Sequence, residues 1–506
     1  MRRFRFWQNT SLSDVSLLAL LAIAKVLLHT FTNGQYGFHR DELATLDDAR
    51  YLDWGYVAYP PLTPFLGRVA LGLFGPSLAG VRFFAALASG AAVLLAGMTA
   101  REMGGQRRAA LVAALAVAVS PMSFASGALL QYVSFDYLWW VLAGYFAVRL
   151  LKSQDPRWWL GIGIAAGSGF ETKYTMAFLA AGIAGGLLLT DARRDLRNPW
   201  LWCSVALSAL IFLPNLIWQI RHDFVSLEFL KSIHARDMRA GRTAGFLTGQ
   251  LWKCANPATI PLWLAGLYSL FTPRMKQYRM LGWMFVIPCL LLVVARGRDY
   301  YLAPAYAMLL AAGAVWWEQW LASLPAARAR IAARTTWRAL AVSGVLVAVV
   351  VLRFAPINSQ WWKVADRLND NWNEEIGWPE LVETVAGVRN SLPPEERSRT
   401  GILAGDSGHA GAINLLGPAN GLPRAMSGMN SHWLRGYGDP PPSTVIVIGM
   451  KREDLNGIFE SCEPAGRVTN RYGIRNSTIA DYDGIFVCRR LRKPWPEFWK
   501  HFRYYG

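Results

Sequence analysis

The chain has 506 residues, of which 53% are hydrophobic and 17% charged, and its formal net charge is +18. A single soluble core stops growing near about 250–300 residues, and soluble domains are typically about 25% charged. In a soluble protein the positive charge would indicate a nucleic-acid partner. Here the basic residues fall in short loops between apolar runs, as they do in membrane proteins. The composition therefore predicts a membrane protein and argues against nucleic-acid binding.

Eleven apolar runs are long enough, or nearly so, to cross a bilayer as helices, which takes about 20 residues. The first run follows Arg2, Arg3 and Arg5 and lacks a small-residue cleavage site, so it is interpreted as an anchor helix. The runs lie at 12–32, 77–100, 109–124, 135–151, 158–170, 174–190, 199–219, 246–271, 279–295, 301–320 and 337–355.

Alternate loops between these runs are basic, as the cytoplasmic loops of membrane proteins are. With the N-terminus in the cytoplasm, an odd number of spans places everything after about residue 356 outside. The sequence thus predicts a transmembrane part, 1–356, in the bacterial inner membrane and a periplasmic domain, 357–506. The basic loops hold Arg101, Arg107 and Arg108; Lys152 and Arg157; Arg193, Arg194 and Arg197; Arg274, Lys276 and Arg279; and Arg328, Arg330, Arg334 and Arg338.

Two outer loops are long. The first, 33–75, is predicted to be a structured platform with a short helix at 42–53. It continues with an apolar stripe at helical spacing, typical of a helix in the membrane surface. The other, 220–245, has mixed charge and is predicted to be a flexible loop. The stripe consists of Leu62, Phe65, Leu66, Val69, Ala70 and Leu73.

The tail, 357–506, alternates between buried strands and helical patterns, which predicts a small α/β domain with a partly parallel sheet. Its two cysteines, Cys462 and Cys488, could form a disulfide in the periplasm or remain as two buried thiols. The strands are predicted at 400–406, 443–450 and 484–490, and the helices at 378–391, 408–416 and 451–461.

Acidic residues mark the outer ends of two runs. Asp41 and Glu42 follow the first run, where a carboxylate could act as a general base on a hydroxyl acceptor. They could equally begin a surface helix, where acids suit the N-terminal dipole. Asp136, at the outer end of the fourth run, is either a functional acid or a helix cap. His39 could bind a divalent ion beside Asp41, but no complete metal site is predicted.

Lys173 and Arg298 lie in outer loops, against the positive-inside trend. Such cations could stabilise the charge that develops on a phosphate leaving group. They could also simply extend from the interface to water. Arg82 has the same two interpretations, while Tyr300 and Tyr301 fit an aromatic belt at the membrane surface.

Several short motifs follow one another in a fixed order along nearly the whole chain. With this order and placement, the sequence resembles the bacterial family 39 glycosyltransferases, the group that contains protein O-mannosyltransferases and the aminoarabinose transferase that modifies lipid A. The motifs are Asp41-Glu42, Gly55-Tyr56, Pro60-Pro61-Leu62, Arg82, the Ser-Phe-Asp ending at Asp136, Thr172-Lys173-Tyr174, Asp299-Tyr300-Tyr301, and the tail segments 408–418 and 427–436.

The resemblance implies a GT-C fold with about 11 transmembrane helices and a C-terminal α/β periplasmic domain. It implies inverting transfer of a sugar from a polyprenyl-phosphate lipid to a hydroxyl of a lipid, glycan or protein, with no cofactor required and metal dependence open. Aminoarabinose transferases carry Glu-Lys where this chain has Ala58-Tyr59, so that sugar is not expected. The implied site comprises Asp41 as base with Glu42 and Asp136; Lys173, Arg298, Arg82, Tyr300 and Tyr301 for the phosphate; and His39, Tyr56 and Tyr59 in the substrate cavity.

Two other functions remain open from the sequence. A transporter or flippase of lipid-linked glycans would place its acids near the bilayer midplane, in broken helices. In this chain the charges cluster at the outer ends of the runs, which favours chemistry at a lipid headgroup. A ligase that transfers whole glycans from a polyprenyl-diphosphate carrier would use similar cations.

Overall fold

A computed structural model describes residues 12–369, 371–482 and 484–506. Arg2, Arg3 and Arg5 lie outside the described residues. The first part is helical: α1 (Leu12–Asn33), α2 (Arg40–Asp48), α3 (Leu62–Phe74), α4 (Leu78–Val81), α5 (Phe83–Glu102), α6 (Arg107–Ala118), α7 (Pro121–Ala128), α8 (Tyr132–Ser153), α9 (Trp158–Phe170), α10 (Met176–Leu188), α11 (Pro199–Arg221), α12 (Val225–Arg239), α13 (Phe246–Gly249), α14 (Ile260–Phe271), α15 (Arg279–Val294), α16 (Tyr306–Ser323) and α17 (Ala326–Val351).

Each of the eleven apolar runs contains at least one helix, and the chain is a membrane protein. Within the described residues, five helices are long and apolar enough to cross a bilayer, or up to seven if each bent pair counts as one span. The number of eleven spans, and with it the orientation of the termini, stays a prediction. One bent pair is α6 and α7, which meet at 62° before Pro121.

Polar side chains satisfy the backbone groups that this bend frees. The Lys25 ammonium donates to the carbonyl of Ala118 at 2.8 Å, and the Asn256 amide donates to that of Val119 at 3.0 Å. Unpaired carbonyls are costly inside a bilayer, so a break in a helix needs such partners.

Small residues allow α14 and α16 to pack closely. An added Cβ at Gly266 would lie 2.0 Å from the Leu309 carbonyl oxygen, and one at Gly313 would lie 1.9 Å from that of Leu262. Close backbone approach through small residues is a usual way for helices to associate in membranes, where the lipid is as apolar as the side chains.

The first outer loop is structured, as predicted, although its first helix begins earlier than the sequence indicates. The His39 ring accepts from the Asp41 amide at 3.1 Å, and Glu42 accepts from the His39 amide at 3.0 Å. This reciprocal capping box starts α2 at Arg40. On α3 the apolar stripe divides, since Ala70 is buried while Phe65 and Leu73 are exposed.

The loop 220–245 differs from the prediction. Instead of an irregular segment, it contains the 15-residue helix α12. Its start packs in a small apolar cluster of Val57, Trp218 and Val225, and the Ser226 hydroxyl donates to the Tyr56 carbonyl at 3.0 Å. The mixed charge of this segment concealed these anchor residues.

The tail forms the expected small α/β domain. Its five-stranded sheet has the order β2-β1-β3-β5-β4, in which β1 is parallel to β2 and β3, and β5 is antiparallel to β3 and β4. Its elements are α18 (Gln360–Asn369), α19 (Trp378–Ser391), α20 (Pro394–Arg397), β1 (Thr400–Ala404), α21 (Ser407–Leu416), β2 (Ala425–Met426), β3 (Thr444–Ile448), α22 (Arg452–Ile458), β4 (Phe459–Arg467), α23 (Ser477–Ala480), β5 (Gly484–Leu491) and α24 (Trp495–His501).

All three predicted strands are present, but the helix predicted at 451–461 ends at Ile458. The chain passes there directly into β4, which pairs along β5. In that register Cys462 lies opposite Cys488, and the two form a disulfide. The disulfide, one of two alternatives from the sequence, joins the edge strand β4 to its neighbour β5.

The soluble domain packs on the first outer loop through α21 and α2. Leu43 and Leu46 share one buried cluster with Ala410 and Ile413. Beside it, Arg435 forms ion pairs with Asp47, at 2.5 Å, and with Asp48, while His432 contacts Asp47 at 2.8 Å.

Candidate functional site

A cavity of about 750 Å³ lies between the loop 33–75, the helix ends next to it and the soluble domain. Asp41, Lys173 and Arg298, which are remote in sequence, all line it. The soluble domain contributes Asp406, Ser407, Gly408, Asn430, Ser431, His432, Thr478, Asp481 and Tyr482, and α12 with the turn after it contributes Phe229, Leu230, Ile233, His234, Arg236, Asp237, Arg242 and Thr243.

Asp41 projects from the first turn of α2 into this cavity, and about half of its side chain is exposed. The Gln131 side-chain amide donates to Asp41 Oδ2 at 3.1 Å. The Arg40 Nε lies 3.5 Å from Asp41 Oδ1. The carboxylate is therefore oriented on both oxygens while remaining accessible, which suits a group that accepts a proton from a bound hydroxyl.

Glu42 and Arg82 lie behind Asp41 and away from the cavity, which differs from their predicted roles. Both side chains are fully buried, and Arg82 pairs with Glu42 at 2.6 Å while donating to the carbonyls of Asn33 and Gly37. Burial alone would raise the pKa of the Glu42 carboxyl, but Arg82 and backbone donors outweigh it and lower the pKa. Arg82 thus has no free donor edge for a phosphate, and the pair fixes the platform that carries Asp41.

Lys173 is buried at the wall of the cavity among three aromatic rings. Its ammonium lies 4.0 Å from the centre of the Tyr301 ring and 5.1 Å from those of Tyr132 and Tyr300. Among the described residues it has no hydrogen-bond partner. Cation–π contacts compensate part of the lost hydration, but three N–H donors remain available to an anion in the cavity.

Arg298 lies in the same cavity but already has a partner. Its Nε and one terminal nitrogen donate to the two carboxylate oxygens of Asp237 at 2.6 and 2.7 Å. This bidentate arrangement is the geometry with which Arg holds carboxylates and phosphates. Arg236 and Arg242 lie 3.6 and 3.7 Å from the same carboxylate, so cations outnumber acids in this part of the cavity.

The sequence and the structure of the chain are similar to those of known proteins. The family model for dolichyl-phosphate-mannose-protein mannosyltransferases matches residues 58–218. In structure, the chain superposes on ArnT from Cupriavidus metallidurans in the apo state with a TM-score of 0.60 at 14% identity, covering 94% of this chain and 98% of that chain. For the archaeal oligosaccharyltransferase AglB from Archaeoglobus fulgidus, the TM-score is 0.51 at 14% identity, over 86% of this chain and 69% of that chain. The chain shares its fold with these two proteins.

Two curated relatives match part of the length of this chain. It is 28% identical over 200 residues to the lipid A galacturonosyltransferase RgtD of Rhizobium johnstonii, across 37% of this chain and 41% of that protein. It is 31% identical over 204 residues to the undecaprenyl phosphate-alpha-4-amino-4-deoxy-L-arabinose arabinosyl transferase 2 of Pseudomonas fluorescens, across 36% of this chain and 30% of that protein. In both cases the matched region is less than half of the relative.

Of the other predicted site residues, Tyr59 and Tyr301 line the cavity. Asp136 is buried in the first turns of α8, within electrostatic reach of Lys173, and Tyr300 contacts Lys173 from behind the cavity wall. His39 and Tyr56 were expected in the cavity, but the structure places both outside its lining. His39 caps α2, and the Tyr56 hydroxyl donates to the carbonyls of Asp48 and Tyr51.

Sequence reasoning missed several residues that the fold brings into the cavity. Gln131 lies at the break between α7 and α8, where no charge or motif marks it. Asp237 was hidden in a segment of mixed charge, although an acid flanked by Arg236 and Arg239 was the available signal. Among the described residues, no cluster of three or more His, Cys, Asp or Glu could hold a metal ion, and metal dependence stays untested.

Proposed function

We propose that this protein is an inverting glycosyltransferase of the GT-C superfamily that moves a sugar from a polyprenyl-phosphate lipid to a hydroxyl of a lipid, glycan or protein. The observation that carries the proposal is the buried Lys173 ammonium, which has no hydrogen-bond partner among the described residues and faces the cavity that contains Asp41. A buried ammonium without a hydrogen-bond partner is costly, so the site is suited to an anionic ligand.

The proposed step is a single displacement. The acceptor oxygen attacks the anomeric carbon from the face opposite the phosphate, the new C–O bond forms, and the bond from that carbon to the phosphate oxygen breaks. The hydroxyl proton passes to Asp41, and the polyprenyl phosphate leaves with one further negative charge. Lys173 and Arg298 stabilise that charge, which is worth most in a site from which water is excluded.

Three features of the site would contribute to catalysis. The positioned base contributes typically about 10²–10⁴-fold to the rate. Holding donor and acceptor together in the cavity can supply about 7–11 kcal/mol of the barrier. The soluble domain, which supplies one wall of the cavity, would bind part of the acceptor.

We further propose that the cavity faces the periplasm and the N-terminus the cytoplasm. The Cys462–Cys488 disulfide supports this orientation, because disulfides persist in oxidising compartments such as the periplasm. The alternation of basic loops supports it independently.

A glycan ligase with a polyprenyl-diphosphate donor is a second candidate. The observation that favours it is the surplus of cations around Asp237, where Arg236, Arg242 and Arg298 surround a single carboxylate. A second phosphate would be accommodated by this surplus.

The test is mass spectrometry of purified protein incubated with polyprenyl-phosphate sugars, a polyprenyl-diphosphate glycan and a membrane-lipid extract. We expect a glycosylated product from a monophosphate donor with the wild type and none with Asp41→Asn, which loses the proton acceptor while keeping its size. Glu383→Gln, an exposed carboxylate on α19 outside the cavity, is the matched control and should behave as wild type.

The outcomes separate the candidates. A product made only from the diphosphate donor would identify the ligase. Full turnover by Asp41→Asn would remove Asp41 as the base. Donor binding without any product in any mixture would favour a transporter of lipid-linked glycans.

A further inference from the structure

We propose that Asp237 competes with the donor phosphate for Arg298. The Asp237 carboxylate binds Arg298 while no donor is bound, and the phosphate replaces it when the donor binds. This inference rests on the proposed function, since it assigns a counter-ion to the phosphate-binding Arg298. It adds a conformational role for α12.

The geometry of the pair leaves Arg298 little capacity for a second anion. Asp237 takes the Nε edge of the guanidinium in a two-point contact, and the remaining terminal nitrogen is 3.5 Å from the Tyr300 hydroxyl. A phosphate binds the same edge with the same fork geometry. Both anions cannot occupy that edge together, so a donor phosphate that binds this edge of Arg298 requires Asp237 to move.

Asp237 has other partners to which it can move. Arg236 and Arg242 lie 3.6 and 3.7 Å from its Oδ1, and both are partly exposed. A small rotation of the end of α12 would exchange the half-buried Arg298 for these two cations. The exchange would therefore not leave an unpaired carboxylate, which would be costly.

The attachment of α12 fits a movement of its C-terminal half alone. The first half is anchored by Ser226, which donates to the Tyr56 carbonyl, and by Glu228, which pairs with Arg503 at 3.0 Å. Beyond Asp237 the chain continues through Gly241 and Gly245, both with positive φ, a conformation that glycine adopts without strain. Among the described residues, the ion pair between Asp237 and Arg298 is thus the contact that attaches this end of α12 to the cavity wall.

The first test is the affinity of the full-length protein for undecaprenyl phosphate, measured in nanodiscs. Asp237→Asn should bind more tightly, by about tenfold, the change that corresponds to about 1.4 kcal/mol, because the competing charge is removed. A weaker or unchanged affinity would overturn the inference, since a weaker affinity would mean that Asp237 positions Arg298 for the ligand. Glu228→Gln, a carboxylate on the same helix that does not contact Arg298, is the control and should bind as wild type.

Arg298→Ala separates this inference from the proposed function. It should weaken undecaprenyl-phosphate binding, and adding Asp237→Asn to it should restore nothing. Unchanged binding by Arg298→Ala would remove Arg298 from the phosphate site altogether. If Arg298→Ala weakened undecaprenyl-phosphate binding as expected but Asp237→Asn did not strengthen it, only the competition by Asp237 would be rejected.

A second measurement needs no variant. Hydrogen exchange of the wild-type protein should become faster in the C-terminal half of α12 and the turn up to 245 when undecaprenyl phosphate is added. The first half of α12, held by Ser226 and Glu228, should not change. Slower or unchanged exchange beyond Asp237 would contradict the release of this segment.

Discussion

Gln131 is the neutral side chain that orients the proposed base. Its amide donates to one oxygen of Asp41 at 3.1 Å, while Arg40 faces the other oxygen. Hydrogen bonds to charged groups contribute about 1.5–3 kcal/mol. We expect Gln131→Ala to lower kcat by about tenfold with little change in KM, because an unoriented carboxylate meets the acceptor proton less often.

The expected decrease in kcat at nearly constant KM makes this prediction specific. Gln35→Ala, an exposed glutamine at the end of α1, should leave both constants unchanged. If Gln131→Ala instead raised KM at constant kcat, Gln131 would be a substrate contact and not a positioning residue.

At this scale the sequence could group residues at the predicted outer ends of the helices but could not pair them. Asp41, Lys173 and Arg298 were predicted to converge, and they do line one cavity. The pairing of Arg82 with Glu42, 40 residues away, and of Arg298 with Asp237, 61 residues away, leaves no trace in local spacing. The sequence could therefore not show that Glu42 and Arg82 pair with each other outside the cavity lining.

Among the secondary-structure elements, the contact between α2 and α21 fixes the position of Asp41 relative to the soluble domain. An added Cβ at Gly411 would lie 2.4 Å from the Leu43 carbonyl oxygen, which belongs to the backbone and cannot give way easily. Gly411→Val should therefore push α21 away from α2, widen the cavity and reduce transfer by about tenfold or more, in line with the effect of a displacement of about 1 Å on catalysis.

The control for this prediction is Gly387→Ala on α19. An added Cβ there meets no atom within 4 Å, and alanine favours a helix, so this variant should keep full activity. Equal activity of Gly411→Val and wild type would show that the spacing of α2 and α21 does not matter for transfer.

The sequence predicted elements best where periodicity is strong. The three buried strands and α19 follow their hydrophobic patterns closely. β4 was missed because its residues alternate irregularly and several are exposed, so pairing with β5 and the disulfide, both of long range, decide its structure. The helix α12 was not predicted because the residues that anchor it are few and lie at its N-terminal end.

At the scale of the whole molecule, the soluble domain and the membrane part are joined by a buried ionic contact. Arg435 pairs with Asp47 at 2.5 Å and with Asp48, and its guanidinium lies 4.7 Å from the centre of the Tyr51 ring. Burial alone would raise the pKa of Asp47, but His432 and Arg435 outweigh it and lower the pKa. The carboxylate is thus held in its charged form, and it depends on these partners.

Removing one member of such a cluster is costly because it leaves the other charges buried and unpaired, at about 3–5 kcal/mol. We therefore expect Arg435→Ala to lower the free energy of unfolding by about this amount and to reduce transfer, since the soluble domain would no longer be held over the cavity. Thermal unfolding in detergent and the transfer assay measure the two effects.

Arg490→Ala, which breaks an exposed ion pair with Glu460 at 3.0 Å, is the control and should lower the free energy of unfolding by at most about 1 kcal/mol. If Arg435→Ala were as stable and active as Arg490→Ala, the ionic contact would not be what holds the soluble domain in place, and the apolar packing of α21 on α2 would have to account for it alone.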